Sequence, residues 1–327
     1  MRRREFITLL GGAAAWPLGA QAQQPAMPVI GTLYAVSAAE WAPYMASFRS
    51  GLAELNFVDG KNVTIEARWA ESYYDRLPGM AADLVGRKVS VILAGGSVVA
   101  IRAATAATQT IPIVFTTAVD PVAAGLVASL NDPGGNITGA TLISTELAPK
   151  RLALLHELIP AATSVALLAN PNNPAIFTQD ARGVQDAARA QGQEVIVVSA
   201  TNGGEIASAF EAAAKQRAAA LLVGSDAIFV NGRSQIAELG LRYGIPVVFS
   251  EREGAAAGGL MSYGASFSDT YRQVGIYVGR ILRGEKPANL PIVRQTKFEL
   301  VINLKTARAL GLTISNQMQL LANEVIE

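Results

Sequence analysis

The residues able to do chemistry in this chain cluster where an alternating pattern of strands and helices brings its strands to an end. Tyr34 closes the first apolar run, Ser97 follows "VILAGG", Thr116 and Thr117 close "IPIVFTT", and Asp120 lies just beyond. In the second half Asn172 sits in "NPNNP", with Phe177 after it; Asp226 ends "ALLVGSD" and Glu251 follows "VVFS". Open parallel sheets bind ligands beyond the carboxyl ends of their strands, where loops and helix starts converge. The types are those of recognition. Ser97, at a helix start beside Gly95 and Gly96, suits an anionic group or merely caps the helix. Asp226 and Glu251 would meet an ammonium group or sit in solvent. Tyr34 and Phe177, like Trp41, Phe229 and Tyr263, would stack on a flat ligand or belong to the core. Asp120 before Pro121 is also a favourable helix cap, and "NPNNP" is equally a stiffened turn.

Covalent and metal chemistry find little to work with. The chain has no cysteine and one histidine, His156, which lies among leucines on a periodic helix. A thiol nucleophile is therefore excluded, and a histidine triad or a multi-histidine zinc site has no residues to build it. No G-x-x-x-x-G-K-[ST] loop, dinucleotide fingerprint or G-x-S-x-G elbow occurs. No catalytic residue, metal or cofactor is expected, and the chain reads as one built to hold a solute.

The elements that must position these residues follow from the periodicity. Strands are expected at 29–35, 62–70, 89–96, 111–117 and 136–143, with helices at 41–55, 76–88, 98–109 and 120–130 between them. The pattern then restarts after the helix carrying His156. Strands at 163–170, 194–200, 219–226, 245–253 and 259–264 alternate with helices at 177–192, 204–216 and 231–243. Short β-branched runs separated by Ala-rich helices imply parallel sheets covered on both faces. The letters repeat too: "VILAGGS…TIPIVFTT" returns as "ALLVGSD…GIPVVFSE". The fold class is α/β, with two doubly wound lobes facing each other across a cleft, the usual place for a small-molecule site.

The first 22 residues read as an address. Arg2, Arg3 and Arg4 precede a short apolar run, and Ala20-Gln21-Ala22 has the form cut by a signal peptidase. Paired arginines before Glu5-Phe6-Ile7 are similar to a twin-arginine signal, an ordinary secretory signal being the alternative. The whole chain holds 27 Lys and Arg against 26 Asp and Glu. Removing three arginines and one glutamate with the leader leaves 24 against 25, with no basic stripe, which speaks against nucleic acid. The run is too short to be a membrane span.

Several stretches resemble one known family. "IPIVFTTAVDPVAAGLVASLNDPGGNITG", "KRLALLHELIP", "ALLANPNNP", "GIPVVFSEREGAAAGGLMSYG" and "INLKTARALGLTI" are similar to the tryptophan-type ABC transporter substrate-binding family over nearly the whole length. The resemblance implies a type I periplasmic binding fold, with lobe one at 28–144 and lobe two at 145–263. Residues 264–288 would return to the first lobe and 289–327 to the second, across three crossovers that act as a hinge. It implies an ABC permease and its ATPase as partners, a soluble periplasmic location, and an amino acid, aromatic in some members, as ligand. Ser97 with Thr116 or Thr117 would then take the carboxylate, Asp226 or Glu251 the ammonium, and Tyr34 or Phe177 the ring. A periplasmic sensor on the same fold is the alternative, and a cleft enzyme using carboxylates a more distant one.

Overall fold

The computed structural model describes residues 27–327, so the expected leader lies outside the described residues. The first lobe is built on β1 (Val29–Tyr34), β2 (Thr64–Trp69), β3 (Val91–Gly95), β4 (Ile113–Thr117) and β5 (Ile137–Thr141). These pair in parallel in the order β2-β1-β3-β4-β5. Strands β3, β4 and β5 are buried at every residue, because helices cover both faces of the sheet. That is why β3 and most of β4 are apolar runs, whereas edge strand β2 is half-buried throughout and alternates. Helices α1 (Ala38–Glu54), α2 (Leu77–Gly86) and α3 (Val98–Ala107) make the crossovers.

The second lobe repeats the plan. Strands β6 (Ser164–Ala169), β7 (Glu194–Ser199), β8 (Ala220–Val223), β9 (Val247–Phe249) and β10 (Met261–Ala265) run in the order β7-β6-β8-β9-β10. Around them pack α4 (Ala148–Leu158), α5 (Pro174–Gln191), α6 (Ile206–Lys215), the short α7 (Ala227–Asn231), α8 (Arg233–Tyr243) and the short α9 (Arg252–Ala256). The two copies of the repeated letters are β3 with β4 and β8 with β9, which hold equivalent places in the two sheets. In each lobe the strand order reverses beside the first strand, and at that switch point loops splay apart and leave a crevice.

Three connections join the lobes. The first runs from β5 through residues 142–147 into α4. The second leaves β10 at Ala265 for α10 (Phe267–Leu282), which packs on α1 in the first lobe. The chain then adds β11 (Val293–Arg294) beside β5, and crosses back only at β12 (Phe298–Asn303). The expected return to the second lobe at 289 is thus corrected: residues up to Arg294 pair with the first sheet. Helices α11 (Leu304–Ala309) and α12 (Asn316–Leu321) and strand β13 (Glu324–Ile326) complete the second lobe. Its sheet is not wholly parallel, since β12 runs antiparallel to β10.

One expected helix is absent. Residues 120–130 form a series of turns. Asp120 does cap them, its Oδ1 accepting from the Val122 and Ala123 amides at 2.8 and 3.3 Å. Gly125 then takes φ 67°, a left-handed conformation that ends a helix after a single turn.

The α1–α10 crossing is close because glycines meet there. A Cβ on Gly275 would overlap the Phe48 carbonyl oxygen, and one on Gly51 the Arg272 carbonyl oxygen. This approach sets the depth at which α10 delivers Phe267 and Tyr271 to the interlobe space.

Candidate functional site

A small cavity of about 30 Å³ lies between the lobes, at the switch points of both sheets. Its polar side comes from Ser97, Thr116 and Thr117 in the first lobe, Tyr271 on α10, and Ser225 in the second lobe. Its apolar side comes from Trp41, Leu142, Ile176, Val230 and Phe267, with Val98 and Ala227. Among the described residues, no Asp, Glu, Lys or Arg reaches its surface.

Each polar group is held by its own element. Ser97 is the N-cap of α3, its Oγ accepting from the Ala100 amide at 3.1 Å. Thr117 Oγ1 accepts from the Val119 amide at 3.3 Å. Thr116 Oγ1 lies 3.0 Å from the Tyr271 hydroxyl, which accepts from Trp41 Nε1 at 2.8 Å. Burial pushes the Tyr271 phenol up to about 12 against the opposing effect of its hydrogen bonds to Thr116, Trp41 and Tyr34, so it remains protonated.

Behind Ser225 lies a buried charge group. Asp180 accepts from the Ser225 amide at 2.6 Å and from Ser225 Oγ at 3.1 Å. Arg151, fully buried, donates to Ser225 Oγ at 3.2 Å, to the Ser144 carbonyl at 3.0 Å and to the Tyr263 carbonyl at 3.4 Å. Ser144 lies in the first crossover and Tyr263 midway along β10, the strand leading to the second, so one guanidinium ties both to the cavity wall. Burial raises the Asp180 pKa, and the Arg151 charge with the two Ser225 bonds opposes that rise.

Among the expected site residues, Ser97, Thr116 and Thr117 line the cavity and the others do not. Asp226 stands between two lining residues, but its carboxylate turns away. It caps α7, accepts from the Tyr74 hydroxyl at 3.0 Å, and accepts from Asn173 Nδ2 at 2.8 Å. Tyr34 lies in the core beneath the floor, its ring stacked on Trp69 at 4.9 Å. Phe177 packs against the core of the second lobe, and Asp120 faces a separate groove with Thr145 and Arg182. Asn172 borders a wide groove with Tyr73, Tyr74 and Asn202. Glu251 is buried at the lobe contact, its Oε2 accepting from Ser250 Oγ at 2.7 Å while Oε1 has no partner.

The aromatic side chains lining the cavity are thus Trp41, Phe267 and Tyr271 rather than Tyr34 and Phe177. Trp41 had a local signal, as an aromatic at an element end. Tyr271 and Phe267 had none, because they reach the cavity only through the second crossover.

Burial without a full set of partners pushes the Glu251 carboxyl up to about 7. Its folded value exceeds its unfolded one, so the folded state holds the proton more tightly and stability falls as pH rises from about 4.5 to about 7. Glu251→Gln removes that slope. Relative to wild type, the variant gains about 3 kcal/mol between pH 5 and pH 8 in urea denaturation. A difference independent of pH would contradict this.

Contacts across the cleft hold the lobes together. Ser37 Oγ in the first lobe donates to Asn231 Oδ1 in the second at 2.6 Å. Arg233 Nη2 reaches the Glu40 carbonyl at 3.0 Å and its carboxylate at 2.9 Å. Tyr74 of the first lobe also donates to Asp226 of the second.

Comparison with known proteins agrees with this architecture. The family described as ABC transporter substrate binding protein matches residues 33–326. A tyrosine-binding protein of Clostridioides difficile (strain R20291) is 27% identical over 266 residues, covering 81% of this chain and 75% of the relative. A solved ABC domain from Streptococcus pneumoniae in complex with L-Trp is 25% identical, with a TM-score of 0.81, covering 91% of this chain and 99% of that one. A conserved domain protein from Vibrio cholerae shares the fold at 24% identity and a TM-score of 0.82, covering 91% and 99%.

Proposed function

The chain belongs to the ABC transporter substrate-binding protein family, and from that premise we propose that it is a periplasmic receptor that closes on an aromatic amino acid and hands it to an importer. The observation that carries the reading is the cavity itself, with hydroxyls and a helix start on one wall and indole and phenyl rings on another. Such a wall pair fits a ligand with an anionic head and a flat apolar body. The relatives named for tyrosine and L-Trp support the same ligand class. The carboxylate sits on Ser97, Thr116 and Thr117, and the ring lies between Trp41, Phe267 and Val230. An ABC permease and its ATPase take the solute onward. The leader-like first 22 residues support a periplasmic location, and no described helix is long and apolar enough to cross a membrane.

Delivery requires that the lobes open and close about the three crossovers, in the manner of hinged binding proteins. The Arg233–Glu40 and Ser37–Asn231 contacts belong to the closed state, so removing them penalises that state alone. Arg233→Ala weakens ligand affinity about three- to tenfold through faster dissociation, with little change in the association rate. Stopped-flow binding checks this, and an unchanged dissociation rate would contradict it.

The reading is tested by a thermal-shift panel on the chain from Gln23 onward. A ligand bound only by the folded state raises the melting temperature, the stabilisation being about 2.7 kcal/mol at a hundred times the dissociation constant. L-Tryptophan or L-tyrosine raises it by several degrees, and glutamate and lysine do not. A panel in which no aromatic amino acid shifts the transition rejects the ligand class.

A further inference from the structure

The cavity surface is made of neutral groups, yet the groups behind it decide which of the hydroxyls give protons and which accept them. On the first-lobe wall the order starts at Trp41. An indole N–H can only donate, so the Tyr271 hydroxyl accepts from it and must send its own proton elsewhere. Its neighbour within hydrogen-bonding distance on that side is Thr116 Oγ1, at 3.0 Å. Either hydroxyl of that pair can donate; because the Tyr271 oxygen already accepts from Trp41, donation from Tyr271 to Thr116 is the favoured order, and it frees the Thr116 proton for the cavity. Ser97 and Thr117 are in the same condition, since each accepts from a backbone amide and has no protein acceptor among the described residues. All three hydroxyls present donors.

The second-lobe wall is set the other way. Ser225 Oγ gives its proton to Asp180 Oδ1 and accepts from Arg151, which leaves a lone pair facing the cavity. Asp180 enforces this, because its Oδ2 accepts from the Ser225 amide and its Oδ1 from the Ser225 hydroxyl, so both oxygens serve as acceptors.

We propose that Tyr271 and Asp180 are positioning residues that fix opposite hydrogen-bond polarities on the two walls, so that the site selects an α-amino acid with its carboxylate on the first lobe and its ammonium on Ser225. This rests on the receptor reading given above and adds the orientation of the ligand and the residues that impose it. Neither residue is charged toward the ligand. Both act through a neutral hydroxyl, which explains how a zwitterion is recognised by a cavity with no ionised side chain on its surface.

Two substitutions separate the walls. Tyr271→Phe leaves Thr116 free to turn either way. Asp180→Asn places an amide NH2 against Ser225 Oγ while its carbonyl still accepts from the Ser225 amide, and the serine proton is then turned into the cavity. Calorimetric titration uses three probes: L-tryptophan, L-tryptophanamide, which lacks the carboxylate, and indole-3-propionate, which lacks the ammonium. In Tyr271→Phe the preference for L-tryptophan over its amide falls about tenfold or more, while the preference over indole-3-propionate is unchanged. In Asp180→Asn the pattern is reversed. Ser225→Ala, which leaves the Arg151 and Asp180 charges in place, repeats the second result if Asp180→Asn fails to fold. Thr116→Val repeats the first.

Loss of affinity for all three probes in equal proportion means the residues only support the structure, and overturns the proposal. So does wild-type protein that prefers indole-3-propionate, though the receptor reading then stands. Wild-type protein that binds none of the three at millimolar concentration overturns both.

Discussion

Replacing Arg151 with alanine lowers folding stability by about 3–5 kcal/mol, measured by urea denaturation at neutral pH. The guanidinium is fully buried, and the charge that acts on it most strongly among the described residues is Asp180. Its attraction to Asp180 is exerted through Ser225, which bonds to both. Removing the cation leaves Asp180 as a buried carboxylate with hydroxyl and amide donors but no positive charge nearby. That stranded charge dominates the loss, because its desolvation was previously offset in part by Arg151. The two crossover carbonyls of Ser144 and Tyr263 also lose their shared donor. Arg151→Met with Asp180→Leu removes both charges and recovers part of the stability, so the two changes are strongly non-additive. A loss under about 1 kcal/mol for Arg151→Ala would show that the charge group does not act as a unit.

Gly275→Ala carries the second large effect, and here the sign decides. Within an isolated helix, glycine to alanine is favourable by about 1 kcal/mol. In α10 the new methyl would overlap the Phe48 carbonyl oxygen and lie 3.1 Å from the Gly51 Cα, both on α1. Neither is the end of a flexible side chain, so the helices must separate, and overpacking of this kind costs about 1–3 kcal/mol. The expected net result is destabilisation by about 2 kcal/mol. Gly79→Ala in α2 is the internal comparison, since nothing lies within 4 Å of a Cβ there, and it is neutral or stabilising. Separation of α10 also withdraws Tyr271 from Thr116, so ligand affinity falls together with stability. A neutral Gly275→Ala would mean that the crossing has slack.

Much of the architecture is legible in the letters because it is local. Strands buried on both faces must be apolar runs, so β3, β4, β6 and β8 announce themselves, and the repeated Ile-Pro openings mark β4 and β9 as counterparts. The helix expected at 120–130 failed for a local reason as well, the left-handed turn at Gly125. The site was legible only in part. Ser97, Thr116 and Thr117 follow from the rule that ligands gather at strand ends. The direction in which a strand-end side chain points does not follow. Asp226 turns back to Tyr74 and Asn173, whereas its neighbour Ser225 faces the cavity. Tyr271, Phe267 and Arg151 are placed by the crossovers, which bring α10 and α4 to the cavity from distant parts of the chain. No sequence spacing encodes that.

The central claim is that the space between the lobes binds an aromatic amino acid, and isothermal titration of the chain from Gln23 onward with L-tryptophan and L-tyrosine tests it most directly. The account predicts saturable binding of one ligand per chain with a dissociation constant of micromolar order, about −8 kcal/mol. It also predicts that Trp41→Ala, at the cavity wall, weakens that binding about a hundredfold. No saturable heat with either amino acid at millimolar concentration would contradict the account. So would binding that Trp41→Ala leaves unchanged, because the ligand would then sit elsewhere.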